Sequence, residues 1–85
     1  MPKSIRSEGL LALGQAISKI REAEGMSQRE FAAKIGYRQS FISKIELGLR
    51  RIDVVELVVL SRAVGVPASE LLSLVEEATP EGQKI

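Results

Sequence analysis

The chain has 85 residues, a mass of 9.3 kDa and a formal net charge of +1. That length holds one small domain, assigned here to residues 1–85. Cysteine and histidine are both missing, which excludes a disulfide framework, zinc sites built on thiolates or imidazoles, and histidine-dependent catalytic triads.

Glycines punctuate the sequence. Gly25, Gly36, Gly48 and Gly65 each follow a stretch of helical periodicity, where glycine ends a helix in the left-handed conformation at little cost. The first helix is predicted from about Ser7 or Gly9 to Glu24, with Leu10, Leu13, Ile17 and Ile20 near one face. Gly14 lies inside it against propensity, which a close helix contact would explain.

The second helix, Gln28–Ile35, opens on a capping box: Ser27 as N-cap and Glu30 three residues later. Met26 and Phe31 are placed to form a hydrophobic staple across that start. Phe31, Ala32 and Ile35 point inward, and Gly36 stops the helix. The third helix, roughly Gln39–Leu47, turns Ile42 and Ile45 inward and Gln39, Ser40, Ser43 and Lys44 outward. A fourth starts at Asp53, with Glu56 completing a second capping box, and ends at Gly65. The fifth begins near Pro67, whose fixed φ suits a first turn, and runs to about Ala78. Residues 79–85 read as a flexible tail, and the fold class is an all-α bundle of five helices over residues 8–78. No period-2 strand pattern of useful length is present.

Helices two and three are joined by about three residues beginning with glycine, the spacing of a helix-turn-helix. Ala32 is small where the two helices meet, Gly36 turns the chain, and Ile42 and Ile45 bury the inner side of helix three. Its polar outer side is then a ridge that fits a DNA major groove. Charge agrees with that: residues 27–52 carry net +4 and residues 53–85 net −4. A basic middle suits phosphate, and the acidic end would lie away from it.

The runs 25–36 (Gly-Met-Ser-Gln-Arg-Glu-Phe-Ala-Ala-Lys-Ile-Gly) and 39–48 (Gln-Ser-Phe-Ile-Ser-Lys-Ile-Glu-Leu-Gly) resemble the lambdoid phage repressor/Cro family, also called the Xre family. Leu60–Val66 and Glu70–Leu72 match its fourth and fifth helices, so the resemblance covers about residues 10–75. It implies a five-helix domain that binds double-stranded operator DNA, usually as a two-fold dimer. By resemblance, Gln39 and Ser40 reach base edges, with Ser43 and Lys44 one turn on. Gln28 holds a phosphate and braces the first residue of helix three. Arg50 and Arg51 form a phosphate clamp, with Arg29 and Arg38 as further phosphate contacts. Arg21 and Glu46 match a structural ion pair that ties helix one to helix three. Three positions depart from the family: Arg38 stands where a Ser or Thr caps helix three, Leu47 replaces a polar residue, and Arg51-Ile52-Asp53 lacks the common loop proline.

Helix four carries more apolar surface than one core needs. Leu57, Leu60 and Val64 serve the inner face, and Val55, Val58 and Val59 make a second stripe. With Leu74 and Val75 they form the expected homodimer interface.

These readings lead to a sequence-specific DNA-binding regulator of transcription, of the Cro-like or restriction–modification controller type. The rival class is an antitoxin-like interaction module that neutralises a protein partner and binds DNA secondarily. No nucleophile–base pair, phosphate loop or metal-ligand set supports an enzyme, and neither cofactor nor metal is expected. The longest strongly apolar stretch, Leu57–Leu60, is far short of a membrane span, and Met1–Arg6 has no apolar core of a leader peptide. A cytoplasmic protein of bacterial or phage origin is therefore expected.

Overall fold

Ser7 caps the first helix. Its backbone is extended, and its hydroxyl accepts the Leu10 N–H at 3.1 Å, satisfying one of the free donors at a helix start. In the computed structural model, which describes residues 7–85, five helices follow: α1 Glu8–Ala23, α2 Gln28–Ile35, α3 Gln39–Glu46, α4 Val54–Val64 and α5 Ala68–Ala78. No strand occurs among the described residues. The reading of Met1–Arg6 lies outside them.

The expected boundaries hold to within a residue or two, because each is set by chemistry local in sequence. Both capping boxes are formed: Ser27 with Glu30 and Asp53 with Glu56. The four glycine stops all have positive φ, between 71° and 76°. Among the ends that differ by a residue are those of α3 and α5. Leu47 caps α3 instead of extending it, and Pro67 is the N-cap of α5, so that helix begins at Ala68. Residues 79–85 are less featureless than expected: the Thr79 hydroxyl donates to the Val75 carbonyl at 2.6 Å, and Gln83 N–H closes a turn on Pro80.

The core draws on all five helices. Leu13 and Ile17 come from α1, Phe31 and Ala32 from α2, Ile42 and Ile45 from α3, Leu60 and Val64 from α4, and Leu71 from α5. Phe31 is its one fully buried aromatic, and burying such a side chain contributes roughly 1.5–3 kcal/mol. α1 packs against α3, α4 and α5, while α2 packs against α3 and α4. The close contact expected at Gly14 is present: a Cβ there would run into the Ile45 carbonyl oxygen and lie 3.0 Å from Glu46 Cα. α1 can cross the end of α3 only because this residue has no side chain.

The apolar residues of α4 are only partly absorbed. Leu57 is half-buried and packs on the core, as does Ala63. Val54 and Val55 are 78% and 68% exposed, so α4 is not a fully buried helix. Among the described residues, no single helix is long and apolar enough to cross a membrane.

Candidate nucleic-acid interface

The turn between α2 and α3 is built by backbone hydrogen bonds that need glycine at position 36. Gly36 has φ 75°, the Tyr37 N–H donates to the Ala32 carbonyl at 2.9 Å, and the Gly36 N–H donates to the Ala33 carbonyl at 3.3 Å. This is the Schellman arrangement, and it reverses the chain within three residues. α3 then starts at Gln39 without a side-chain cap, because Arg38 offers no acceptor.

Ile42 and Ile45 hold α3 by its inner side. Gln39, Ser40 and Lys44 are exposed on the outside, and Ser43 is half-buried beside them. Their spacing places the four on one helical face. Arg38, Ser40 and Lys44 line one open cleft together with Tyr37, Phe41 and Arg50. Arg29, in the first turn of α2, and Arg51, in the α3–α4 loop, are exposed.

Behind the outer face runs a continuous polar chain. Arg21 Nε and Nη2 donate to the two carboxylate oxygens of Glu46 at 2.7 and 3.0 Å, and Arg21 Nη1 donates to the Met26 carbonyl at 2.7 Å. Both side chains are more than nine-tenths buried. The Gln28 amide nitrogen donates to Glu46 Oε1 at 2.9 Å, and the Gln39 amide nitrogen donates to Gln28 Oε1 at 3.3 Å. Burial by itself pushes the Glu46 carboxyl pKa up. The hydrogen bonds from Arg21 and Gln28, with the charge of Arg21, outweigh that and hold it below the ordinary glutamate value. The ion pair ties α1 to α3, and Gln28 links that pair to the first residue of α3.

Arg50, expected with Arg51 as a phosphate clamp, also has partners within the chain. Arg50 Nη1 and Nη2 donate to Glu56 at 3.0 and 3.1 Å, and its guanidinium lies 4.3 Å from the centre of the Phe41 ring. The Tyr37 ring meets Phe41 edge-on at 4.1 Å, and the Tyr37 hydroxyl donates to Glu56 Oε2 at 3.3 Å. Arg50 thus braces the edge of α3 against the start of α4 while staying partly exposed, and Arg51 beside it is exposed. Sequence reasoning assigned no role to Tyr37 or Phe41 and gave Glu56 no part beyond capping. Helical periodicity gives no signal for Tyr37, which lies in the α2–α3 turn outside both helices.

The five expected dimer residues differ in exposure. Val55, Val58 and Val59 lie on α4, with Val58 and Val59 half-buried. Leu74 lines a cleft with Ala12, Ala16 and Lys19 of α1. Val75 packs on the core, where its Cγ1 would lie 3.0 Å from a Cβ at Gly9, so it serves the α1–α5 contact. Val54 and Leu72, neither of them expected, are strongly exposed.

Comparison with known proteins agrees with this geometry. Residues 17–71 match the family model HTH_3, described as helix-turn-helix. The chain is 33% identical over 72 residues to the uncharacterized HTH-type transcriptional regulator y4dJ of Sinorhizobium fredii, covering 85% of this chain and 92% of that protein. It is also similar to two solved structures. One is the restriction–modification controller protein C.AhdI from Aeromonas hydrophila, with 31% identity, TM-score 0.67, and coverage of 73% of this chain and 90% of the other. The second is SinR, the master regulator for biofilm formation, solved in complex with DNA. That match has 33% identity and TM-score 0.65, and covers 71% of this chain and 97% of the other.

Proposed function

The chain belongs to the Xre-type helix-turn-helix family of DNA-binding transcriptional regulators, and from that membership we propose that it binds a near-palindromic operator as a homodimer and reads it with α3. The observation that carries this reading is the division of α3: Ile42 and Ile45 are buried, while Gln39, Ser40 and Lys44 are exposed on the outer side. A helix held by one face and polar on the other can enter a major groove without disturbing the core.

In this reading Gln39, Ser40, Ser43 and Lys44 contact base edges. Gln28, Arg29, Arg38 and Arg51 contact phosphates, which position the helix without specifying sequence. Two copies related by a two-fold axis would set their α3 helices about 34 Å apart, one turn of DNA. The exposed valines of α4 supply apolar surface for that pairing. The controller class named by C.AhdI is the subtype we favour, acting in the cytoplasm without cofactor or metal.

The test is selection of binding sites from a random duplex library at fixed salt near physiological strength. The expected result is a two-fold motif with half-sites one helical turn apart. Folded protein that enriches no motif would overturn the reading and favour an interaction module with a protein partner.

A further inference from the structure

Arg50 lines the same cleft as Arg38, Ser40 and Lys44, yet the chain already engages it in three ways. Its Nη1 and Nη2 donate to Glu56 Oε1 and Oε2 at 3.0 and 3.1 Å, its Nη1 also donates to the Arg51 carbonyl, and the Phe41 ring lies 4.3 Å from its guanidinium. Glu56 is committed to the same degree. Its Oε1 also accepts the Asp53 N–H at 3.0 Å, and its Oε2 the Tyr37 hydroxyl at 3.3 Å, so each oxygen takes two hydrogen bonds. A carboxylate has about four such acceptor positions, and here all are filled. The Arg50 side chain is 37% exposed and open to an approaching phosphate, whereas the Glu56 side chain is only 13% exposed. Moving Arg50 onto a phosphate would leave that sheltered carboxylate without its counter-charge, which is unfavourable.

We propose that Glu56 is a positioning residue that holds the Arg50 guanidinium off the DNA backbone and so limits sequence-independent binding. Binding to random duplex rests essentially on cations that neutralise phosphates and release their counterions. A guanidinium bound through two nitrogens to a carboxylate forms a pair with no net charge, and it adds little to that count. Without the carboxylate, Arg50 is one more cation beside Arg38 and Lys44, able to meet a phosphate whatever the base sequence. Glu56 also completes the capping box of α4 with Asp53. Glutamine at that place keeps the cap and removes the charge, which separates the two roles. This inference rests on the reading of the α3 face as the DNA-contacting surface.

The experiment measures affinity for random duplex across a salt series for the full chain, Glu56→Gln, Arg50→Ala and the double variant, with circular dichroism to confirm folding of each. Glu56→Gln is expected to tighten binding by about fivefold or more near physiological salt. It should also steepen the slope of log affinity against log salt by about 0.9 for each bound protomer, one added phosphate contact. Arg50→Ala alone should leave the wild-type slope nearly unchanged, and the double variant should return to it. A folded Glu56→Gln with the wild-type slope would overturn the proposal, since Arg50 would then gain no phosphate when freed. The same steepening in the double variant would also overturn it, because Glu56 would then act by its own charge and not through Arg50. If Glu56→Gln fails to fold, Arg50→Ala decides alone: an unchanged slope sustains the proposal, and a loss of about 0.9 per protomer shows Arg50 already on a phosphate and overturns it. Wild-type protein that binds no duplex at low salt would instead overturn the DNA-binding reading on which the proposal stands.

Discussion

Gly14 of α1 lies against the backbone of Ile45 in α3, with no room between them for a methyl group. This contact sets how deeply the end of α3 seats on α1, and it stands next to the Arg21–Glu46 pair that ties the same two helices.

Gly14→Ala should therefore destabilise the fold although alanine is the better helix former. The propensity gain is about 1 kcal/mol, whereas forcing a methyl against a backbone carbonyl costs roughly 1–3 kcal/mol or more. The neighbour cannot yield as a flexible side chain would. Urea unfolding followed by circular dichroism should show a lower midpoint with an unchanged slope. A raised midpoint would mean that the two helices separate easily.

Arg50 and Arg51 are adjacent in sequence but should behave differently. Arg51→Ala should reduce the slope of log affinity against log salt by about 1.8 for the dimer, the loss of one phosphate contact from each protomer. Arg50→Ala should leave that slope nearly unchanged and lower stability by about 1 kcal/mol, because Arg50 serves Glu56 and Phe41. Equal losses of slope would show that Arg50 exchanges Glu56 for a phosphate when DNA binds.

Acid should unfold the protein through its paired carboxylates. Glu46 and Glu56 both titrate below the ordinary glutamate value in the folded chain: in each, burial raises the pKa but hydrogen bonds and charge from Arg21 or Arg50 outweigh it. A carboxylate with a lowered folded pKa stabilises the fold fully above its unfolded pKa, and that contribution is lost as pH falls through the folded value. Stability should be flat from neutral pH down to the ordinary glutamate range and decline below it. Glu46→Gln should start from a lower plateau and decline less steeply, as measured by thermal melts across an acid pH series. A parallel decline would remove Glu46 as a source of the acid sensitivity.

Val55→Asp should convert a dimer to a monomer without unfolding it, because Val55 is 68% exposed within one chain. Sedimentation equilibrium measures this directly. An unchanged dimer mass would place the interface away from α4. Val58 is the poorer probe, being half-buried, since a charge there also disturbs packing within the chain.

Much of this protein is legible without its structure, for a physical reason. Capping boxes, glycine stops and the inner face of α3 depend on residues three or four apart, so Ser27 with Glu30, Asp53 with Glu56, and Ile42 with Ile45 declare themselves in the sequence. The Arg21–Glu46 pair spans 25 positions and was legible only through family resemblance. What tertiary structure alone decided are contacts set by how helices cross. Arg50 is drawn to Glu56 and Phe41 because the start of α4 comes to the edge of α3. Val75 is turned toward Gly9 because α5 lies along α1. Gln28 is held between Glu46 and Gln39 because the α2–α3 turn brings both ends of the recognition helix within reach of one amide. Periodicity says which face of a helix is buried. It does not say which neighbour covers that face, and a long charged side chain follows its neighbour.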